Sequence, residues 1–273
     1  MTFACLIEFR KKICESDKIA NFALFLLDGN SADFAYEGLE TVPAKRSMAN
    51  EMTRSALVLL CGYFEGYLKK IIEEFVETFN SLDLPLKGTE DLLLLSIFQK
   101  SITENREKSL PKALQIKKCL IEDICFPLTT EAIGKTNGNP TVDTVDNLFQ
   151  RIGIPEIIDT LSIQDHGIDS TYITVNQSQK FQRQIEQATG SDVLSSQKII
   201  EFIDSQWTPT KKRREVGYVG IIQELLKKRN RIAHGENWDE QVTPQELINF
   251  NSNILKLCEG ISLNLEKKIH DYQ

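Results

Sequence analysis

Three side chains with complementary chemistry lie within six residues of one another near the end of the sequence. They occur in the stretch Arg229-Asn230-Arg231-Ile232-Ala233-His234-Gly235. An arginine stays protonated and offers a planar fork of N–H donors that fits phosphate oxygens. A histidine near neutral pH can accept or donate a proton. Asn230 has no useful acid–base chemistry, so we expect it to orient a phosphate or His234. These residue types therefore indicate phosphate chemistry.

The three residues end an amphipathic helix, which the sequence predicts over about residues 214–234. Upstream of them, apolar residues recur at three- and four-residue spacing, at Val219, Ile222, Leu225 and Leu226. This spacing is typical of one buried helical face. Continuing that face reaches Arg229, and Asn230 and His234 follow Leu226 at intervals of one turn. We therefore predict that the three polar side chains lie on or beside the buried face.

No other stretch carries a comparable chemical pattern. The sequence has no Gly-rich phosphate loop, no Gly-x-Ser-x-Gly elbow and no dinucleotide-binding fingerprint. It has three histidines and no Cys or carboxylate cluster at metal-ligand spacing, so we expect neither a metal site nor a cofactor. The alternative for the motif itself is structural. In that case Arg229 pairs with a buried Glu and His234 interacts with the last carbonyls of the helix.

Positive charge is concentrated around the same helix. The chain has a net charge of −7, but residues 211–231 hold eight basic and only two acidic side chains. An acidic body with one basic patch can still attract a polyanion locally. The alternative is a basic loop together with a solvated helix face, neither of which binds a polyanion. Seven of these basic residues are candidates for binding a polyanion: Lys211, Lys212, Arg213, Arg214, Lys227, Lys228 and Arg231.

The elements that position the motif are predicted to be helices. The longest helical pattern spans about residues 46–83. The clearest is the last helix, where Thr243 and Glu246 form a capping box and Pro244 occupies the first helical position. After this start, apolar residues recur at heptad-like spacing along the helix. Such a seam predicts a partner helix, which is either the helix over 46–83 or a helix of a second subunit. We predict an all-α fold, an antiparallel helical bundle in a single domain over 1–273. Its core helices lie at about 46–83 and 207–269, and 84–205 is a helical elaboration.

Shorter patterns fill the remaining chain. We predict a linker over 31–45, a loop over 134–140 and a brief extended segment over 172–175. Predicted helices cover 3–27, 90–102, about 111–125, 142–153, 155–161, 179–188 and 192–206. The six cysteines form no disulfide-like framework, and no apolar run is long enough for a membrane span or a secretory signal. We therefore expect a cytoplasmic protein that does not bind a membrane.

The motif and its surroundings resemble a known family. Arg229-Asn230-x-x-x-His234 is similar to the signature of HEPN domains, and Trp207 before it and Thr243-Pro244 after it fit the same pattern. Upstream, Arg54-Ser55-Ala56-Leu57-Val58-Leu59-Leu60 leads into Tyr63-Phe64-Glu65-Gly66-Tyr67, as in the branch named after its RiboL-PSP members. The resemblance covers about residues 46–83 and 141–265.

This resemblance implies a function and a mode of assembly. HEPN domains are all-helical dimeric modules, and many are metal-independent ribonucleases found in bacterial conflict systems. A dimer would bring a second Arg229 and His234 to the site, so that one histidine acts as base and the other as acid. The implied activity is an endoribonuclease of a toxin or defence effector, which leaves a 2′,3′-cyclic phosphate and a 5′-hydroxyl. An antitoxin or partner protein from the same operon is a further expectation. Some HEPN toxins carry a Tyr two residues after the His, which their antitoxins modify. Glu236 occupies that position here, so we do not expect this mode of control.

Two residues of the long helix are candidates for supporting the motif. Glu65 lies eleven residues after Arg54, which is almost three helical turns. Its carboxylate could hold Arg229 in one rotamer, and the alternative is an edge charge that reaches solvent.

Three hypotheses therefore remain open for the whole chain. They are a HEPN ribonuclease, a non-catalytic RNA- or nucleotide-binding HEPN adaptor, and a structural helical adaptor.

Overall fold

The computed structural model describes residues 3–28, 37–91, 93–95, 98, 106–133, 139–175, 210–234 and 240–273. These residues form an all-α bundle with one small two-stranded sheet, which confirms the predicted fold class. The helices are α1 (Ala4–Leu27), α2 (Val42–Ser81), α3 (Arg106–Glu122), α4 (Thr130–Ile133), α5 (Val142–Gln150), α6 (Ile157–His166), α7 (Gly217–Ala233) and α8 (Pro244–His270). The strands are β1 (Tyr172–Val175) and β2 (Thr210–Arg213). None of the described helices combines the length and apolar character needed to cross a membrane.

The core is built on three long helices, α1, α2 and α8, which all pack against one another. The heptad-spaced residues of α8 are almost fully buried within the chain: Leu247, Phe250, Ile254, Leu257, Ile261 and Leu265. Their partners are helices of the same chain, so the seam needs no second subunit to cover it. Polar contacts reinforce the packing, because Tyr67 of α2 donates to the Cys258 carbonyl at 2.6 Å and Ser16 of α1 donates to Asn251 at 3.1 Å.

The first turns of α2 and α8 are set by local capping interactions. The Thr243 hydroxyl accepts from the Glu246 N–H at 3.1 Å, and the Glu246 carboxylate accepts from the Thr243 N–H at 2.8 Å, which confirms the capping box. The start of α2 was predicted too late. Pro43 was assigned to a linker, but it stands in the first turn of α2, where its missing N–H costs no helical hydrogen bond.

Between α2 and α7, more than half of the residues that the structure describes are helical. A 3₁₀ turn at Leu86–Gly88 follows α2, and the described residues of the predicted 90–102 helix are largely helical. Helix α6 begins after Glu156, which adopts φ 50°, and it continues to His166, five residues beyond the predicted end. The predicted helices at 179–188 and 192–206 lie outside the described residues, as do Trp207 and most of the 134–140 loop.

The basic run that begins at Lys211 forms strand β2, which pairs antiparallel with β1. Tyr172 lies opposite Arg213 in this pairing. The alternative interpretation of the charge pattern placed a basic loop here. The sequence did not predict this strand, because the run lacks the apolar alternation of a strand and its partner lies about forty residues earlier in the chain.

Candidate functional site

Helix α7 carries the motif and is held at both ends. Its first residue, Gly217, has φ 55°, and a Cβ there would lie 2.8 Å from the Ser162 side chain. The Ser162 hydroxyl accepts from the Tyr218 N–H at 3.0 Å, which joins the start of α7 to α6. The predicted apolar face is buried, at Val219, Ile222, Leu225 and Leu226, and Tyr218 is buried beside it. Helix α7 packs against α2 and α6. The helix therefore has a fixed axis, along which the motif occupies the last turn.

The motif residues meet at the C-terminal end of α7. Helix α7 ends at Ala233, and His234 is its C-cap, with its N–H bonded to the Asn230 carbonyl at 2.9 Å. The His234 side chain is exposed, whereas Arg229 and Asn230 are partly buried. Arg229 Nη1 donates to Asn230 Oδ1 at 3.1 Å. The structure therefore brings a guanidinium, a carboxamide and an exposed imidazole to one helix end.

Asn139 also belongs to this cluster, and the sequence did not reveal it. Its Nδ2 donates to Asn230 Oδ1 at 3.2 Å, so the Asn230 oxygen accepts from two donors. This network fixes which end of the Asn230 carboxamide is oxygen and leaves its NH₂ group as a donor. The 91-residue separation of Asn139 and Asn230 explains why no local pattern links them.

Arg229 differs from its basic neighbours because it has no carboxylate partner among the described residues. Its guanidinium lies close to the Cys61 thiol on α2. Burial raises the pKa of Cys61 to about 12, and the positive charge of Arg229 acts in the opposite direction. A partly buried cation that lacks a carboxylate is suited to bind an exogenous anion.

Two neighbouring basic residues on α7, Lys228 and Arg231, are paired with carboxylates. Lys228 Nζ lies 3.8 Å from Glu240 and 3.3 Å from Glu246, and it donates to the Gln241 carbonyl at 3.2 Å. Arg231 Nη1 lies 3.3 Å from Glu240. Glu240 and Glu246 follow the motif by several residues, and this ion cluster fixes α7 to the start of α8. Lys228 and Arg231 therefore have carboxylate partners within the chain, and their assignment to RNA binding stays a prediction.

Arg213 is also occupied by carboxylates. It bonds to Asp146 of α5 and to Asp159 of α6, and it lies 3.3 Å from Asp143. Its side chain is only 18% exposed, and its guanidinium lies over the Tyr172 ring. Arg213 therefore fastens β2 to α5 and α6, and its assignment to RNA binding stays a prediction.

Four of the predicted polyanion-binding residues remain exposed and lack a carboxylate partner within the described part of the chain. They are Lys211, Lys212, Arg214 and Lys227. Arg214 donates to the Ser170 carbonyl at 3.2 Å, and the other three have no such anchor among the described residues. The positive surface beside α7 is therefore smaller than the sequence indicates.

The two supporting candidates on α2 have different surroundings. Glu65 forms an ion pair with Lys69 at 2.6 Å, one turn along the same helix. Across the residues that the structure describes, Glu65 forms no ion pair with Arg229. Arg54 is partly buried and follows Thr53, whose hydroxyl donates to the Val242 carbonyl at 2.6 Å. Arg54 therefore lies on the part of α2 that contacts the segment between the motif and α8. The described residues contain no cluster of side chains that could hold a metal ion.

Comparison with known protein families gives a match over most of the chain. The family profile described as RiboL-PSP-HEPN matches residues 32–267. The chain belongs to this family. The match runs through residues 84–140, where inspection of the sequence found no resemblance. HEPN domains are often ribonucleases, so membership supports a ribonuclease or nucleotide-related role. Searches of curated proteins and of solved structures gave no significant match.

Proposed function

We propose that the chain is a metal-independent endoribonuclease. The observation that supports this best is the partly buried guanidinium of Arg229, which has no carboxylate partner in the described residues and lies beside the Asn230 amide. Lys228, Arg231 and Arg213 are all paired with carboxylates. Arg229 and the Asn230 NH₂ group thus form a set of donors that phosphate oxygens can satisfy. HEPN family membership supports RNA as the source of that phosphate.

The proposed reaction uses the 2′-hydroxyl of the RNA as nucleophile. This oxygen attacks the adjacent phosphorus as His234 accepts its proton, and the bond from phosphorus to the 5′-oxygen breaks. Arg229 and Asn230 donate hydrogen bonds to the non-bridging oxygens, where negative charge accumulates in the transition state. The leaving 5′-oxygen receives a proton, and the products are a 2′,3′-cyclic phosphate and a 5′-hydroxyl.

One histidine cannot easily act on both sides of a phosphorus in a single step. We therefore propose a homodimer with two-fold symmetry, in which a second His234 protonates the leaving oxygen. His234 is exposed at the end of α7, which leaves it accessible to a second chain.

RNA cleavage in excess chelator tests this function. We expect the parent protein to produce 2′,3′-cyclic phosphate ends, and His234→Ala to lower the rate by about 10²–10⁴-fold, the usual contribution of a positioned proton-transfer group. The variant should remain folded, because the imidazole is exposed at a helix end. A folded His234→Ala protein that cleaves at the parent rate would exclude the catalytic assignment. A parent protein that binds RNA without cleaving it would instead support the RNA-binding adaptor.

The cellular role that we propose is that of a toxin or defence effector. Expression of the parent chain should then arrest growth, and His234→Ala should relieve the arrest. Growth arrest of equal strength by the folded variant would show that toxicity does not depend on cleavage.

A further inference from the structure

We infer that Asn139 is a positioning residue for the proposed reaction and acts through Asn230. This inference rests on the proposed function and extends the site to a segment that precedes the motif by about ninety residues. It starts from the hydrogen bond of Asn139 Nδ2 to Asn230 Oδ1 at 3.2 Å.

The first step of the argument concerns the Asn230 carboxamide. This group can rotate by half a turn, which exchanges its oxygen and nitrogen at little steric cost. Arg229 and Asn139 both present N–H donors to one end of it. Two donors favour the oxygen at that end, because in the flipped amide the Asn230 NH₂ group would face the N–H groups of Arg229 and Asn139. The NH₂ group is then directed away from both donors, where it can reach a phosphate oxygen.

The second step concerns the anchoring of Asn139 itself. The Asn139 carbonyl accepts from the Thr141 N–H at 2.8 Å, and the Thr141 hydroxyl caps the first turn of α5. Pro140, between these two residues, is buried. Helix α5 buries its apolar face and packs against α7. Asn139 is therefore attached to a fixed element and not to the motif helix that it contacts, which suits it to hold Asn230 in one orientation.

The expected effect is on the chemical step. Without Asn139, the Asn230 carboxamide keeps one donor and loses part of its preference for the productive orientation. Misplacement of a group that stabilises the transition state can cost up to about 10²-fold in rate. We expect Asn139→Ala to lower kcat by about 10- to 100-fold, with a change in KM of about threefold or less, because the exposed lysines and Arg229 still bind RNA.

A double-mutant cycle separates positioning from general loosening of the fold. If Asn139 acts through Asn230, the double variant Asn139→Ala/Asn230→Ala should cleave RNA at the rate of Asn230→Ala alone. Additive losses would overturn the inference. Thr141→Ala is the matched control, because it weakens the start of α5 and removes no contact of Asn230. Equal loss of activity in this control would show that the role of Asn139 is only structural.

A second readout does not depend on cleavage. Substitution of Asn230 identifies its side-chain amide signals in the nitrogen–proton NMR spectrum, and Asn139→Ala should shift them. Unchanged Asn230 amide signals would overturn the inference even if the parent protein cleaves RNA. Shifted signals together with an inactive parent protein would confirm the contact and count against the ribonuclease.

Discussion

Arg229 and Arg213 are the same side chain in different surroundings, and the surroundings give them different roles. Arg213 contacts three carboxylates, of which Asp159 has a side chain only 5% exposed. Arg229 contacts a neutral carboxamide and no carboxylate of the described chain. A guanidinium whose charge is already compensated gains little from a phosphate, whereas Arg229 gains an anionic partner. At the scale of single residues, the proposed role of Arg229 rests on this difference in charge compensation.

This contrast gives a prediction from one substitution made at two positions. Arg229→Gln should lower RNA cleavage by about 10²–10³-fold, the usual contribution of one transition-state donor. It should change the free energy of unfolding by about 1 kcal/mol or less, because no buried carboxylate in the described part of the chain loses its partner. Arg213→Gln should destabilise the fold by about 3 kcal/mol, because Asp146 and Asp159 remain buried without a cation. Urea unfolding and a cleavage assay on both variants measure the two effects.

The opposite pattern would contradict these roles. If Arg229→Gln unfolds the protein while Arg213→Gln spares the fold and abolishes cleavage, the two assignments must be exchanged.

The sequence predicted where the motif residues lie, but it did not predict the contacts of the residues around them. The types and spacing of Arg229, Asn230 and His234 were sufficient to place them at one helix end. The pairing of Lys228 was not predictable, because Glu240 and Glu246 approach it only after the chain turns from α7 into α8. Asn139 was missed for the same reason. A contact between distant segments leaves no periodic signal in the sequence.

At the scale of elements, local rules worked where the signal is local. The capping box of α8 and the buried faces of α2 and α7 follow from neighbouring residues, and the structure confirms them. Strand β2 depends on its pairing with β1, so no local signal predicted it. The arrangement also shows that α7 is bracketed by one segment. Asn139 meets its end, and Asp146 and Asp159 hold Arg213 just before its start.

The junction of α7 and α8 should show a pH-dependent stability. Burial opposes ionisation of Glu246, but hydrogen bonds from Thr243 and the contact with Lys228 outweigh it and lower its pKa. A carboxylate whose pKa is lowered by folding stabilises the protein at pH values above its unfolded pKa of about 4.3. This stabilisation is lost as the pH falls through the pKa of the folded state. Glu246→Gln keeps a capping-box residue and removes the charge. The free energies of unfolding of the parent and the variant should differ by only about 0.5 kcal/mol at pH 7, because the Glu246–Lys228 pair is partly exposed.

Urea unfolding at several pH values measures this difference. It should shrink as the pH falls below about 4. A gap that stays constant down to pH 2 would show that the charge of Glu246 makes no contribution.

The exposed cations near α7 should control RNA affinity without setting sequence preference. Changing Lys211, Lys212, Arg214 and Lys227 to Gln should weaken binding and flatten its dependence on salt, because fewer phosphate contacts release fewer counterions. The matched control changes Lys11, Lys18, Lys117 and Lys267, which are exposed on other helices and have no carboxylate partner among the described residues. Binding measured over a range of salt concentrations should distinguish the two variants. Equal slopes would mean that the cations beside α7 do not contact RNA.

At the scale of the whole molecule, the structure changes the basis for a dimer. The α8 seam is covered by helices of its own chain, so it provides no evidence for a second subunit. The remaining basis is chemical, because each chain supplies one His234 to a reaction that needs a base and an acid.

Mixed dimers test this requirement directly. If each site needs two histidines, random pairing of equal amounts of parent and His234→Ala chains should lower cleavage per parent chain to about half. Co-expression of two differently tagged chains provides the mixture, and sedimentation at micromolar concentration should show the dimer. Unchanged activity per parent chain, or a monomer in sedimentation, would contradict shared sites.

The packing of α1 against α8 also determines when the molecule can become active. Helix α8 packs against both α1 and α2, so the core closes only after α8 is present. Arg10 and Glu259 also form an ion pair across 249 positions of sequence. A chain that stops at His234 contains the whole motif, but the faces of α1 and α2 that α8 buries would stay exposed to water. We expect that fragment to remain unfolded and inactive, which circular dichroism and a cleavage assay can check. Because a chain is synthesised from its N-terminus, a ribonuclease built in this way cannot cut its own messenger RNA before translation has passed the codons of its last helix.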